Sequence, residues 1–184
     1  MSSVELTKKK IRSKILLKLK IQKEEERKRK SNVIKKKLFR SSIFKKAKIV
    51  MFYISFSGEV NTEEMIKEAK KIGKIIAVPA CNSRGLIQPC LLYDGAMLKK
   101  GPYGVAEPAL LIGLSPEKLD LVIVPGIAFD KEGNRLGRGK GCYDVFLKQL
   151  PADTPSFGLA FDFQILPLVP TNKRDKEVSK VLFA

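Results

Sequence analysis

Apolar residues change their rhythm near residue 48. Before that point Leu6, Ile11, Ile15, Leu16 and Leu19 recur at close to helical spacing among lysines. Ser2-Ser3-Val4-Glu5 has the spacing of a capping box that would open this helix. A charged run, KEEERKRK, follows, and Val33, Ile34, Leu38 and Phe39 then predict a second short helix starting near Ser31. The arm over residues 1–48 is therefore amphipathic, with an apolar stripe that should dock on a core.

Beyond it, short continuous apolar runs alternate with helical patterns. KIVMFYIS reads as a buried strand, and Asn61-Thr62-Glu63-Glu64 opens a helix to about Ile72, where Gly73 supplies the stop. KIIAVPA and LIQPCLLY read as further strands, and Asp94-Gly95 marks a turn that could form a hairpin into AMLKK. LVIVP is another strand, followed by a glycine-rich loop and a helix across YDVFLKQL. SFGLAF and SKVLFA complete the set. Continuous apolar strands interleaved with helices predict an α/β fold. The expectation is a single domain over residues 1–184: an open, mostly parallel sheet flanked by helices on both faces, with the basic helical arm packed on it.

Charge refines this picture once it is divided along the chain. The net charge is +17, but residues 1–48 hold 19 Lys/Arg against 4 Glu, and the remaining 136 residues hold 17 against 15 acids. The basicity belongs to the arm. With no histidine, imidazole acid–base catalysis, Ser-His and Cys-His pairs and His-ligated metals are excluded. Cys81, Cys90 and Cys142 are odd in number and lack CxxC spacing, which suggests a reducing compartment. The start of the chain has no long apolar run, and Ile49 to Ile54 is too short to span a bilayer, so a cytoplasmic location and no membrane partner are expected.

The densest chemistry lies in DKEGNRLGRGKGCYD, residues 130–144. Gly137, Gly139 and Gly141 alternate, which lets backbone N–H groups turn into one cavity. Arg135, Arg138 and Lys140 add mobile or forked cations, and the following helix adds the positive end of its dipole. Polyphosphate suits that set better than a single carboxylate, and Asp144 could hold a Mg²⁺ bridging the phosphates. Neither a P-loop nor a GxGxxG is present, because Gly141 follows Lys140 and Cys142 stands where a third glycine would be. Read by composition alone, the segment could also be a solvated connector.

The stretch VPGIAFDKEGNRLGRGKGCYD resembles the signature of the 5-formyltetrahydrofolate cyclo-ligase family. Supporting marks stand in order along the chain: KKKIR at 8–12, FYISFSGEVNTEE at 52–64, YGVAEP at 103–108 and NKRDKEVSKVLF at 172–183. The resemblance implies an ATP- and Mg²⁺-dependent enzyme that closes 5-formyltetrahydrofolate to 5,10-methenyltetrahydrofolate with release of ADP and phosphate. It implies ATP binding by Lys8 and Arg12 and by the run Arg135, Leu136, Gly137, Arg138, Gly139, Lys140, Gly141, Cys142 and Tyr143, with Arg138 and Lys140 acting in catalysis. Substrate contacts fall on Ile54, Glu59, Tyr103 and the segment Arg138 to Cys142, Glu59 taking the pterin's amino-pyrimidine edge. Metal ligation falls on Asp144 and Asp175.

Cys142 departs from the family, which often has a second aromatic there, and nothing in the sequence supplies a base that would make it a nucleophile. Asp130 fits a turn at least as well as a ligand. The resemblance implies a small-molecule substrate, and a monomer with no required nucleic acid is the expectation. A non-catalytic nucleic-acid-binding protein using the basic arm is the alternative, disfavoured by the lack of interleaved aromatics and of any zinc-finger or RNP-like motif. An ATP-using relative with another formylated or carboxylated substrate would share the phosphate residues but need not keep Glu59 and Tyr103.

Overall fold

A computed structural model describes residues 3–82, 84–102 and 104–184. Ser2, the proposed cap of the first helix, and Tyr103 lie outside the described residues. Helix α1 (Ser3–Ile21) places Ile15 and Leu19 in the core while Leu6 stays half exposed. Helix α2 (Glu24–Arg40) begins seven residues earlier than the periodicity predicts. The charged run forms its first turns: Glu24, Glu25 and Glu26 sit at the positive end of the helix dipole, and the pairs Glu24–Arg27 and Glu26–Arg29 bridge successive turns. Apolar periodicity misses this because residues 24–30 include no apolar side chain. After it, Ile34 and Leu38 are fully buried.

A short helix α3 (Ser42–Lys46), capped by the Ser41 hydroxyl, leads into strand β1 (Ile49–Met51). β1 is shorter than the apolar run that predicts it, although Phe52 and Tyr53 stay buried beyond its end. Helix α4 (Glu63–Lys71) and strands β2 (Ile75–Cys81) and β3 (Ile87–Leu91) follow as expected, and Gly73 takes a positive φ just past α4. The Asp94-Gly95 turn does not return to β3. Instead β4 (Leu98–Lys100) pairs with β5 (Ala106–Pro108) in a separate two-stranded sheet. The edge of β3 is already taken by residues 112–114, through Leu91 N–H to Ile112 O and Leu114 N–H to Pro89 O.

Strand β6 (Leu121–Val124) is fully buried and is followed, within the glycine-rich segment expected to be loop, by a short hairpin of β7 (Ala128–Phe129) and β8 (Arg135–Leu136). Asp130 closes that hairpin. Its buried carboxylate accepts the N–H and side-chain amide of Asn134 and the N–H of Val169, which settles its role as structural. Helix α5 (Cys142–Leu147) spans only six residues, and β9 (Ser156–Ala160) and β10 (Lys180–Phe183) complete the chain. The main sheet runs β10-β9-β6-β1-β2-β3, parallel throughout except for β3. One core unites α1, α2, α3 and α4 with one face of the sheet, and a second packs α5 and β7 on the other.

β1 continues through α4 to β2 on one side, whereas its other neighbour, β6, leads through α5 to β9 on the opposite side. The strand order therefore reverses between β1 and β6, and a crevice opens beyond their carboxyl ends. Two devices fix α1 across that crevice. Gln22 donates its amide to Leu19 O (3.0 Å) and Gly58 O (2.6 Å), and Gly58 itself, at φ +81, lies where a Cβ would collide with the Leu19 carbonyl. Gly58→Ala should therefore lower the urea midpoint by the equivalent of roughly 1–3 kcal/mol. Gly73→Ala, with a similar φ of +83 but nothing within 4 Å, should cost less. Equal losses would mean that backbone strain alone, and not the seating of α1, sets the effect.

Candidate active site

A cavity of about 710 Å³ fills the crevice between the β1 and β6 loops, within the range of small-molecule sites. It gathers Lys8 and Arg12 from α1, Ile54 and Glu59 from the loop after β1, and the whole segment from Arg135 to Asp144. Asp175, from the loop before β10, closes the same end as Lys8. Residues as far apart as Lys8 and Asp175 thus meet at one end of the sheet.

The glycine segment is held from above by α1: Arg12 Nε donates to Gly137 O at 2.9 Å. Gly139 and Gly141 have φ of +102 and +71, the region that favours glycine. A Cβ on Gly139 would meet the Arg12 guanidinium only at ordinary contact distance, 3.6 Å, so it is the positive φ that calls for glycine there. Gly141 provides the left-handed turn into α5. Because α5 is short, its dipole contributes less here than the sequence pattern implies, and the side-chain cations carry most of the positive field.

The cations are not equivalent. Arg135, expected to be mobile, is buried: its Nη2 donates to Asp144 Oδ1 at 2.8 Å and its guanidinium lies 5.7 Å from the Tyr143 ring centre. It works as a fixed strut that orients Asp144. Arg138 is partly exposed, donates through Nε and Nη2 to Glu59 Oε1 (3.2 and 2.8 Å) and covers the Phe56 ring. Lys8 pairs with Asp175 and is itself buried. Lys140 lines the cavity, as do Lys148 and Arg174, two cations that sequence reasoning passed over because nothing in their local pattern separates them from surface charge.

The two acids at this end keep donor capacity. Asp144 uses Oδ1 for Arg135 and for Lys176 N–H (3.2 Å), and Asp175 uses Oδ2 for Lys8 and for Asn172 N–H (2.6 Å). Each has its second oxygen without a donor among the described residues. Hard, anionic oxygens in a pair, with no cage of three or more ligands among the described residues, fit a Mg²⁺ that also takes phosphate oxygens and water.

The cavity is also lined by apolar side chains, Tyr53, Pro79, Val105 and Ile127, and by two further acids, Glu59 and Glu107. Burial pushes the Glu59 carboxyl above its ordinary value of 4.5, and Arg138 opposes the shift. Burial raises the Cys81 thiol to about 11 and raises Cys142 and the Tyr143 phenol as well. The thiols therefore remain protonated near neutral pH, in keeping with a site that does not use Cys142 as a nucleophile. Glu107 escaped the sequence reading although it sits in the quoted YGVAEP run.

Raising the folded-state pKa of an acid means that the fold binds the proton more tightly than the unfolded chain does. Glu59 therefore costs stability as pH rises from 4.5 through its elevated folded value. Removing Arg138 leaves that carboxylate buried without its cation. Arg138→Ala should lose about 1–3 kcal/mol at neutral pH and progressively less toward pH 4.5. Adding Glu59→Gln should flatten the pH dependence. Urea melts from pH 4.5 to 8 check this, and a loss independent of pH would contradict it.

Comparison with known proteins finds relatives over nearly the whole chain. The model of the 5-formyltetrahydrofolate cyclo-ligase family matches residues 4–184. The mouse protein named 5-formyltetrahydrofolate cyclo-ligase is 32% identical over 193 residues, spanning 98% of this chain and 95% of its own. The Haemophilus influenzae protein of the same name is 33% identical, over 75% of this chain and 76% of its own. The NMR structure of Aquifex aeolicus 5,10-methenyltetrahydrofolate synthetase superposes with a TM-score of 0.85 at 34% identity, covering 96% of this chain and 89% of that one. A Mycoplasma pneumoniae 5,10-methenyltetrahydrofolate synthetase shares the fold at TM-score 0.77 and 21% identity, covering 95% and 97%. A match over nearly the whole length, with the signature loop lining the cavity, shows that the chain belongs to the 5-formyltetrahydrofolate cyclo-ligase family.

Proposed function

We propose that this chain converts 5-formyltetrahydrofolate to 5,10-methenyltetrahydrofolate at the expense of ATP, with Mg²⁺ held by Asp144 and Asp175. The observation that carries the reading is the lining of one cavity. Lys8, Arg12, Arg138, Lys140, Asp144 and Asp175 line it together with Tyr53, Pro79, Val105, Ile127 and the carboxylates Glu59 and Glu107. A polyphosphate suits the cations and aspartates, and an N–H-rich heterocycle the apolar side chains and glutamates.

In the reaction a lone pair of the formyl oxygen attacks the γ-phosphorus and ADP departs. N10 then adds to the formyl carbon. Its proton is lost and phosphate is expelled, leaving the methenyl bridge. The substrate supplies both nucleophiles, so the chain's task is to align two ligands and spread the phosphoryl charge. Arg12 and Lys140 flank the glycine segment, where backbone N–H groups and cations stabilise charge as it moves from the γ-phosphoryl to ADP. Arg138 lines the same cavity, its guanidinium already directed by Glu59. Mg²⁺, when bound, would neutralise phosphate charge, and Arg135 keeps Asp144 oriented for it.

Purified protein with 5-formyltetrahydrofolate and MgATP should produce the methenyl chromophore and ADP in equal amounts. Lys140→Ala and Arg138→Ala should each lower kcat/KM about 10²-fold while the protein stays folded by circular dichroism. Asp175→Asn should raise the Mg²⁺ concentration needed for half-maximal rate. A folded protein that forms no chromophore, or loop variants that turn over normally, would overturn the assignment.

A further inference from the structure

We infer that Glu107, rather than Glu59 alone, receives the N–H edge of the substrate's amino-pyrimidine ring; this rests on the function proposed above. Glu59 has little capacity left: Oε1 takes both Arg138 donors and Oε2 takes the Phe56 N–H at 3.1 Å. Glu107, on β5, is 94% buried yet lines the cavity. Among the described residues its bond is from Cys81 N–H to Oε1 at 3.0 Å. None of them brings a lysine or arginine into an ion pair with it, and Lys99, opposite it in the β4–β5 register, makes no such pair.

A buried carboxylate that lacks a counter-cation and borders a cavity is costly unless a ligand supplies donors. A 2-amino-4-oxo-pyrimidine presents two adjacent N–H groups, at the exocyclic amine and at N3, which match such a carboxylate. The surroundings fit a flat ring. Pro79, Val105 and Ile127 give the apolar wall, and Gly101 leaves room for the Glu107 carboxyl beside it. Glu107 therefore defines the heterocycle end of the cavity, with Glu59 holding Arg138 for the reacting centre.

Glu107→Gln keeps an acceptor for Cys81 N–H and so preserves the local fold. It should raise the KM for 5-formyltetrahydrofolate roughly 10- to 100-fold while leaving the KM for ATP within about twofold. Wild-type protein should discriminate against an analogue whose 2-amino group is replaced by methyl, and Glu107→Gln should lose most of that discrimination, a change that a merely structural role would not produce. An unchanged KM for the folate, or discrimination retained in the variant, overturns the role of Glu107. If the wild-type chain neither binds nor turns over 5-formyltetrahydrofolate, the proposed function fails instead, so the two failures are distinguishable.

Discussion

Helix α1 sits over the carboxyl ends of the sheet because Arg12 holds the Gly137 carbonyl while Ile15 and Leu19 are buried in the core below. The rest of the site depends on that seating. It brings Lys8 to Asp175 across almost the full sequence, and it turns a stretch that reads as a basic arm into one wall of a cavity. The same apolar packing that stabilises the helix fixes the phase of its cations, since Lys8 and Arg12 share a face one turn apart.

Charge is then sorted by burial. Where carboxylates keep an open oxygen, at Asp144 and Asp175, nearby cations and N–H groups fix their direction without using up their donor capacity. Where burial dominates, at Glu59, the carboxyl is pushed toward its neutral form and Arg138 opposes that shift. One crevice thereby holds both kinds of carboxylate, as the proposed binding of a polyphosphate and a heterocycle requires. Buried pairs of this kind add little net stability, and positioning is their evident use here.

Much of this was legible in the residues. The period change near residue 48, the capped start of α4 and the Gly73 stop follow from local rules that the structure obeys. The signature loop pointed to a segment that the fold does place along the cavity. Less visible were features set by tertiary pairing. The β7–β8 hairpin is only two residues wide on each strand and depends on Asp130 reaching Val169, a partner no window could reveal. Arg135 looked like its neighbours Arg138 and Lys140, yet strand pairing turns it inward onto Asp144. Glu107 is an ordinary acid in a short strand until β5 is laid beside Cys81.

Everything proposed for the crevice turns on the formyl oxygen meeting the γ-phosphate there. Turnover of 5-formyltetrahydrofolate labelled with ¹⁸O in the formyl group, followed by mass analysis of the released phosphate, tests that step. The account predicts one labelled oxygen in each phosphate formed. Unlabelled phosphate accompanying full conversion to the methenyl product would contradict it.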